Sequence, residues 1–368
     1  MPVSRPLHSL AVSAFACSLL FTQTLPSETH SFDSSASKTA SSQTALEREV
    51  RADMDFLASD ELHGRGSATR DEHLAALFAA AQFQSLGLEP GGDNGTFLQK
   101  ATLPNPLPSR LQQRISKYED TPRKETWNAI GILRGTTLPN EVVLLTAHLD
   151  HLGIGPAVDG DTIYNGADDD ASGTTAVLAL ARLLATGQRP HRTIVFALFG
   201  SEEIGGFGNR AFLQHPPVPL NSIVANLEFE MIGRPDPSVP AGTLWLTGFD
   251  RSDLGPELAK HGAHLVNDPH PKEQFFQRSD NYALARQGII AHTVSSFGLH
   301  TDYHQPSDEI RTIDFAHMAN AIASMAGPVR WLADTNWKPE WNPGKKPEQG
   351  SPAAVPANPT QPNKAQPK

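Results

Sequence analysis

The stretch LLTAHLDHLGIGPAVDGDTIYNGADDDAS, residues 144–172, determines the fold that we expect for this chain. Residues 142–145 are continuously apolar, which is typical of a buried strand. Three side chains that can bind metal ions follow at the end of this strand: His148, Asp150 and His151. A glycine-containing loop then leads to consecutive aspartates at 168–170 and to a helix expected over 174–184. Potential ligands therefore lie where a strand gives way to a helix, as in the ligand crevices of open α/β sheets.

Further apolar runs outside this stretch predict the other strands and helices. Residues 193–199, TIVFALF, are apolar throughout and indicate a strand that is buried on both faces. The predicted strands are 129–134, 141–146, 193–199, 222–232, 243–249 and 288–295. The predicted helices are two within 46–86, then 174–184, 256–264 and 313–332. Alternating strands and helices predict an α/β protein, a three-layer α/β/α sandwich around a mostly parallel mixed sheet.

Composition limits the classes of function that this chain can have. The 368 residues include 30 Lys and Arg and 40 Asp and Glu, and the formal net charge is -10. A nucleic-acid-binding protein would need clustered basic residues, so we expect no nucleic-acid partner. The single cysteine, Cys17, lies near the N-terminus, outside the expected folded domain. A metal in that domain would therefore use His, Asp and Glu, a set of ligands that favours zinc or a similar divalent ion.

The two ends of the chain differ in composition from its middle. Arg5 precedes an apolar run at 10–21 that is too short to span a membrane comfortably, a pattern typical of a secretory signal. We therefore expect a secreted or periplasmic protein with no stable membrane association once the signal is removed. The predicted parts are a signal peptide, 1–27; a disordered Ser/Thr/Ala-rich linker, 28–44; a folded domain, 45–335; and a disordered Pro-rich tail, 336–368.

Acidic residues and histidines also follow the other predicted strands. These groups are Glu202 and Glu203, Glu228 and Glu230, Ser279 and Asp280, and the segment 300–308. The carboxyl ends of parallel strands meet at one edge of a sheet, so we expect these side chains to converge. Two divalent cations about 3.5–4 Å apart can activate water and polarise a carbonyl group. Such a site needs a bridging carboxylate, terminal ligands and a base that does not bind metal, and a Glu-Glu pair can supply one ligand and one base.

Five motifs together resemble the M28 family of co-catalytic zinc peptidases. They are His148-x-Asp150, the segment GADDDASG at 166–173, Glu202-Glu203, EMIG at 230–233 and DYHQPSD at 302–308. The segment FLASDELHGR at 56–65 also resembles the start of many bacterial members, so the resemblance covers about 46–332. It implies a phosphorylase/hydrolase-like zinc exopeptidase fold, and the family is known for extracellular aminopeptidases.

The resemblance also implies two zinc ions per chain and a role for each site residue. Asp169, the middle aspartate of its motif, is implied to bridge both ions. The implied terminal ligands are His148 and Glu230 for the first zinc, and Glu203 and His304 for the second. Glu202 is implied to be the general base and later the general acid. Asp150 is implied to orient His148 and to hold its tautomer.

Several positions depart from the family pattern or leave alternatives open. Glu230 stands where an aspartate is common, and Glu228 is a competing ligand on the same strand. Asn209 and Asn281 also differ from the common residues, serine and histidine, and are expected to alter only the walls of the pocket. The remaining interpretations are a pocket wall or a loop for His151, packing for Tyr303, a structural cap for Asp280, and a loop brace or a substrate contact for Arg65.

The favoured interpretation is a secreted two-zinc aminopeptidase that removes N-terminal residues from peptide substrates. One alternative within the fold is a glutaminyl-peptide cyclotransferase, which resembles this family but uses one zinc. Carboxypeptidase or dipeptidase activity is another alternative, because exopeptidases share this core. A catalytically silent binding module on the same scaffold is the alternative from a different class. Such modules lose metal ligands, whereas this sequence contains a residue for each implied ligand position.

Overall fold

The computed structural model describes residues 34–118 and 123–348, with side chains from residue 45 onward. The predicted signal peptide and the last 20 residues of the predicted tail lie outside the described residues. Within the described residues, no helix combines the length and the apolar character that a membrane crossing would need.

Eight α-helices and eleven strands make up the described residues. The helices are α1 Ser34–Leu57, α2 Arg70–Ser85, α3 Ser109–Ile115, α4 Gly173–Ala185, α5 Phe207–Gln214, α6 Leu254–Lys260, α7 Asn281–Arg286 and α8 Phe315–Asp334. The strands are β1 Glu89–Pro90, β2 Leu98–Thr102, β3 Glu125–Leu133, β4 Leu138–His148, β5 Gly153–Val158, β6 Asp161–Tyr164, β7 Arg192–Phe199, β8 Ile223–Phe229, β9 Leu244–Leu246, β10 Leu265–Asn267 and β11 Ala291–Ser295. Each strand and helix predicted from an apolar run is present, with ends that shift by a few residues.

Nine strands form one mixed sheet in the order β1-β3-β7-β4-β8-β11-β9-β10, with β2 also paired to β3. The four central strands, β7, β4, β8 and β11, are mutually parallel. Antiparallel pairing occurs where β3 meets β7 and where β11 meets β9. The central strands therefore all end at the same edge of the sheet. Strands β5 and β6 form a separate antiparallel hairpin.

Alternating side chains of the central strands supply the two hydrophobic cores. On β4, Val143, Leu145 and Ala147 contribute to the core on one face, and Val142 and Leu144 contribute to the core on the other. All of these side chains are buried, which is why β4 is an unbroken apolar run without polar alternation. The strand β7 is buried along its whole length in the same way.

Helices cover both faces of the sheet and complete the three-layer sandwich. The first core includes buried side chains of α1, α2, α4, α6 and α8. The second includes Phe212 of α5 and Tyr282 of α7. The predicted fold class, an α/β/α sandwich around a mostly parallel mixed sheet, is confirmed by this arrangement.

Described residues lie outside the predicted domain, 45–335, at both ends. Helix α1 begins at Ser34, inside the segment predicted as a disordered linker. At the other end, residues 336–348 lie against the domain, although they were predicted to belong to the disordered tail. The Trp341 indole nitrogen donates a hydrogen bond to the Gly288 carbonyl at 3.1 Å, and Arg192 donates to the Trp337 carbonyl at 2.8 Å. The prediction for this segment followed its proline-rich composition and did not take account of the two tryptophans that anchor it.

Candidate metal centre

The four central strands each deliver a predicted site residue to the same edge of the sheet. His148 is the last residue of β4, and Glu230 directly follows β8. Glu202 and Glu203 lie in the turn after β7, and His304 lies in the segment after β11. Because these strands are parallel and adjacent in the sheet, residues distant in sequence come together in space.

Asp169 lies at the centre of this group, and its two carboxylate oxygens face two different histidines. Asp169 Oδ1 is 3.2 Å from His148 Nε2. Asp169 Oδ2 is 3.1 Å from His304 Nε2. The two groups of possible metal ligands in the described residues both contain Asp169: His148, Asp169 and Glu230, and His151, Asp169 and Glu203. The ligand atoms of each group lie within 4.8 Å of one another, so this carboxylate has the position of a bridge.

The tautomer of His148 is fixed by the main chain. His148 Nδ1 lies 3.1 Å from the Asp150 carbonyl oxygen, which can only accept a hydrogen bond. Nδ1 therefore donates to this carbonyl, and Nε2 faces Asp169. His148 is only 1% exposed. The arrangement leaves Nε2 as the ring nitrogen that is directed toward the first group of ligands.

The second group of ligands contains His151, and a further histidine, His304, lies beside it. Glu203 Oε1 is 3.1 Å from His304 Nε2 and 3.2 Å from His151 Nδ1. Despite these short distances, neither Glu203 Oε1 nor either ring nitrogen of His151 has a well-aligned hydrogen-bond partner among the described residues. The sequence allowed two interpretations of His151, a residue of the pocket wall or a loop residue. In the structure, His151 lies close enough to Glu203 for both side chains to bind the same metal ion.

The donor atoms of this cluster fit a divalent cation better than they fit one another. Buried polar groups are normally hydrogen-bonded, and the few exceptions call for an explanation such as an ion. In the described part of the chain, the ring nitrogens of the fully buried His151 and the Oε1 atom of the buried Glu203 lack a well-aligned hydrogen-bond partner. Histidine nitrogen together with carboxylate oxygen suits zinc.

The electrostatics of the cluster separate its two adjacent glutamates. Burial opposes ionisation of Glu203, but the facing His304 and His151 outweigh it and hold the pKa of Glu203 well below its usual range. Burial raises the pKa of Glu202 well above its usual range, with only partial compensation from His148. The same histidine–carboxylate contacts raise the pKa of His304 to about 9 against the opposing effect of burial. Neighbouring glutamates thus have opposite tendencies toward protonation.

Glu202 borders the cluster without belonging to either group of possible ligands. Its main-chain N–H donates a hydrogen bond to Asp150 Oδ1 at 2.9 Å, and its side chain lines the space next to Asp169. Ser201, immediately before it, has a left-handed φ of 56°. Non-glycine residues with such φ values are costly and concentrate at functional sites, and here the conformation sets the turn that carries both glutamates.

Asp150 contacts His148 through its main-chain carbonyl, and its carboxylate has other partners. Its carboxylate is 3.9 Å from His148 Nδ1, and its main-chain carbonyl makes the closer contact to that ring. The carboxylate instead accepts hydrogen bonds from the main-chain N–H groups of Glu202 and Glu203, and from the Ser67 hydroxyl at 2.6 Å. The physical reason is that an N–H pair in the turn after β7 points directly at this buried carboxylate. Asp150 therefore positions both glutamates.

The other two aspartates of the triplet have structural partners. Asp170 accepts hydrogen bonds from the main-chain N–H groups of His148, Gly173 and Met231, which links β4, α4 and the end of β8. Its contact with the Gly173 N–H places a carboxylate cap at the start of α4. Asp168 accepts a hydrogen bond from Gly233 N–H at 2.8 Å and lies 2.9 Å from His300 Nε2.

The loop before the triplet depends on a glycine. Gly166 has a left-handed φ of 59°, and a Cβ atom there would approach the His151 ring to 2.5 Å. The close approach brings the His151 ring alongside the main chain that leads to Asp169. Only glycine satisfies both the conformation and the space at this position.

Glu230, and not Glu228, belongs to a group of possible metal ligands. Glu228 is buried and fully engaged elsewhere, because it accepts hydrogen bonds from the Ser279 hydroxyl, Asn281 N–H and the Thr293 hydroxyl. Glu230 shares a ligand group with His148 and Asp169. Burial, together with the nearby Glu228 carboxylate, raises the pKa of Glu230 to about 7.

Arg65 braces the loops that carry the ligands. Its guanidinium is 1% exposed and donates to the main-chain carbonyls of Leu149, Asn165 and Gly166 at 2.7–2.9 Å, and also to that of Leu57. These contacts join the helical turn Asp60–Arg65 to both ligand-bearing segments. Of the two interpretations left open for Arg65, the loop brace is the one that these contacts support.

An apolar space adjoins the cluster. Its volume is about 50 Å³, and Trp245, Phe275, Phe297, Met231 and Tyr303 contribute to its walls beside Asp169, Glu203 and Glu230. The Tyr303 ring stacks on His304 with centroids 3.9 Å apart, in agreement with the packing role predicted for it. Asn209, one of the departures from the family pattern, donates hydrogen bonds to the carbonyl and side chain of Asp280.

The fold and the cluster define an α/β protein with a candidate two-metal site at the carboxyl edge of its parallel strands. The chain belongs to peptidase family M28, whose sequence profile matches residues 128–327. That match contains each of the predicted site residues.

Two curated relatives illustrate the similarity. An aminopeptidase of Pseudomonas aeruginosa is 38% identical over 115 residues, which are 31% of this chain and 19% of the relative. Leucine aminopeptidase 1 of Sclerotinia sclerotiorum is 25% identical over 227 residues, which are 57% of each protein. The chain thus matches about a fifth of the first relative and somewhat more than half of the second.

Solved structures share the fold over most of their length. A zinc aminopeptidase from Bacillus subtilis superimposes with a TM-score of 0.57 at 17% identity, covering 79% of this chain and 95% of that one. The LapA aminopeptidase of Legionella pneumophila gives a TM-score of 0.57 at 17% identity, covering 86% of this chain and 78% of that one. At such identities the similarity describes the fold.

Proposed function

We propose that this protein is a zinc aminopeptidase that binds two metal ions per chain. The observation that carries the proposal is the position of Asp169, whose two oxygens face two separate groups of nitrogen and oxygen ligands. His148 and Glu230 would hold the first ion with Asp169. Glu203, His304 and His151 would hold the second ion with Asp169. Relatives and solved structures named as aminopeptidases support the same activity.

The residues around the cluster have the arrangement that peptide hydrolysis requires. Two bound zinc ions would lower the pKa of a water molecule and polarise the scissile carbonyl group. Glu202 borders the cluster outside both ligand groups, so its carboxylate is available to take a proton from the attacking water and to deliver it to the leaving amine. Asp150 holds the turn of Glu202 through main-chain hydrogen bonds, which keeps this carboxylate in place.

The shape of the adjoining space supports removal of single terminal residues. A volume of about 50 Å³ beside Asp169 fits one small side chain and not an extended segment of peptide. Buried Trp245 and Phe297 make one part of its wall apolar. An uncharged N-terminal side chain is therefore the group that we assign to this space.

The cellular location that we propose is outside the cytoplasm. This proposal is based on the basic and apolar composition of residues 1–27.

The test is mass spectrometry of a mixed peptide library incubated with the zinc-loaded protein. Matched peptides with free and with acetylated N-termini are included, and each reaction is repeated with a chelator. We expect ladders that shorten from free N-termini only and that disappear when the metal is removed. The residues released first will report the preference of the apolar space.

Each alternative gives a different result in the same experiment. Loss of ammonia from N-terminal glutamine would replace the aminopeptidase with a glutaminyl-peptide cyclotransferase. Shortening from the C-terminus would indicate a carboxypeptidase. An unchanged library together with negligible bound metal would favour the silent binding module. Zinc content measured on the same sample gives the number of ions per chain.

A further inference from the structure

A second, larger space opens beside the metal centre between α3, α5 and α7. Its volume is about 410 Å³, within the range of roughly 300–1,000 Å³ that is typical of small-molecule sites. Glu202, Arg114, Arg278 and Ser279 line both this space and the apolar one. The two spaces therefore adjoin one another at the proposed catalytic glutamate. We call the larger one the arginine cleft.

The arginine cleft carries a local excess of positive charge on an acidic protein. The formal net charge of the chain is -10. The cleft is nevertheless lined by five arginines, Arg110, Arg114, Arg210, Arg278 and Arg286. Its acidic lining residues are Glu202 and Asp280, and burial raises the pKa of Asp280 to about 8. An anionic ligand is the chemical complement of such a lining.

Two of these arginines have no acidic partner in the described part of the chain. Arg110 and Arg210 are exposed, and no carboxylate among the described residues lies within 4 Å of either. The Arg210 guanidinium lies over the Phe207 ring at 5.1 Å, which orients it without neutralising it. Their donors remain available to a ligand in the cleft.

Two other arginines are partly engaged and set the inner end of the cleft. Arg114 donates to Glu203 Oε2 at 2.7 Å, on the opposite side of that carboxylate from the histidines. Arg278 Nη1 lies 3.5 Å from Glu273 Oε2 and is held over the Phe275 ring at 4.9 Å. The positive lining therefore begins at the cluster and continues outward to Arg110 and Arg210.

We propose that the arginine cleft binds a carboxylate on the part of a peptide that follows the scissile bond. This inference rests on the proposed aminopeptidase function and names its preferred substrates. The terminal side chain occupies the apolar space, so the rest of the substrate passes Glu202 into the cleft. A guanidinium fork matches a carboxylate in geometry as well as in charge. Residues extend about 3.3–3.6 Å each, so a carboxylate one or two residues beyond the scissile bond lies within about 7 Å of it.

Such a carboxylate has two possible sources, the free C-terminus of a di- or tripeptide and an acidic side chain near the new N-terminus. The test compares kcat/KM for four peptides that share the same N-terminal residue, Xaa. They are Xaa-Ala, Xaa-Ala-amide, Xaa-Glu-Ala-amide and Xaa-Gln-Ala-amide. We expect Xaa-Ala to exceed its amide by about tenfold or more if the C-terminus binds. We expect the Glu peptide to exceed the Gln peptide similarly if the side chain binds.

Substitutions identify the residues responsible. The double variant Arg110→Gln/Arg210→Gln, which leaves the proposed ligands and Glu202 intact, should lower kcat/KM for the preferred acid peptide while sparing its amide counterpart. Arg134→Gln is the matched control, because Arg134 pairs with Glu89 on the surface and does not line the cleft. Circular dichroism and bound zinc verify that each variant is folded.

The possible results separate this inference from the proposed function. Equal kcat/KM within both pairs, Xaa-Ala and its amide, and the Glu peptide and the Gln peptide, would overturn the carboxylate site. The proposed aminopeptidase function would be unaffected. A preference that persists in the double variant would also overturn the assignment to these arginines. Failure to cleave any of the four peptides would remove the proposed function, and the inference would fall with it.

Discussion

Three identical residues in a row have three different partners. Asp168 binds the loop after β8 through Gly233, and Asp170 ties together the ends of β4 and β8. Asp169, between them, is the one that faces the histidines of the cluster. The backbone amides of Asp168 and Asp169 both donate to Asp308. The outer aspartates therefore hold the main chain so that the middle carboxylate points into the site.

Glu202→Gln tests the proposed proton carrier. The substitution preserves size and removes the basic carboxylate, while every proposed ligand remains. We expect kcat to fall by about 10²–10⁴ and the bound zinc to stay unchanged. Kinetics and elemental analysis of the same sample measure both quantities. Glu257→Gln, a surface change, is the control, and near-wild-type turnover in the Glu202 variant would refute the role.

His151→Gln tests the ligand that the sequence left undecided. The buried His151 Nδ1 lies 3.2 Å from Glu203 Oε1, so we propose that it ligates the second ion. We expect zinc titration to show one weakened site and one unchanged site, with about 10–100-fold lower affinity at the weakened one. His215→Gln, at an exposed histidine, serves as the control. Two sites of wild-type affinity would assign His151 to packing alone.

The strands that hold the site could be predicted well because their signal is strong. Strands β4 and β7 are buried on both faces, so they appear as continuous apolar runs. Short elements left no such signal. Helix α5 has eight residues and contains Gly208 and Asn209, and the hairpin of β5 and β6 is largely exposed. These elements depend on tertiary contacts that a local pattern does not encode.

The residues of the candidate site that follow a predicted strand could be predicted together with that strand. His148, Glu203, Glu230 and Asp169 converge as their positions at strand ends predicted. The contacts of Asp150 were not predictable, because they join the main chain of a turn that lies far away in sequence. The arginine cleft was not predictable from the sequence for a similar reason. Its residues come from three separate helices and the loops next to them.

Arg65→Met tests the brace between the elements around the metal centre. The change keeps an apolar stem but leaves buried carbonyls of Leu149, Asn165 and Gly166 without their donor. We expect a loss of about 3–5 kcal/mol in the free energy of unfolding. Urea denaturation measures it. Arg70→Met, at an exposed position nearby, should change stability by less than about 0.5 kcal/mol, and an equal effect of both would contradict the brace.

The whole domain extends beyond α8, and truncation tests this extension. A chain that ends at Thr335 loses Trp337 and Trp341, which pack against the core. We expect it to be less stable than a chain that ends at Glu348 by about 3 kcal/mol, because it loses two partly buried tryptophans. Thermal unfolding of the two truncated proteins measures the difference. Equal melting temperatures would show that residues 336–348 add nothing to stability.

The stability of the whole molecule should also depend on pH through His292, far from the proposed ligands. Burial lowers the pKa of His292 to about 4, and its ring is held between the Thr247 carbonyl and the Ser252 hydroxyl. The unfolded chain has a histidine pKa of about 6.5, so between these values it binds more protons than the native state. Stability therefore falls as the pH drops from about 6.5 toward about 4.

His292→Asn removes this titration and retains a donor toward the Thr247 carbonyl. Between pH 7.5 and pH 5, we expect the wild type to lose about 2 kcal/mol more than the variant. Urea denaturation at both values provides the comparison, which cancels the contribution of the other titrating groups. Parallel pH profiles would show that His292 is not the group responsible.

The parallel arrangement of the central strands has a consequence for the biosynthesis of this protein. His304 follows β11, and β11 joins the sheet beside β8, so the cluster is complete only after the last strand of the sheet has paired. A nascent or partly unfolded chain can hold several of the ligands and still lack one. If the proposed activity depends on the complete set, a chain that is still being synthesised has no peptidase activity until β11 has paired with β8.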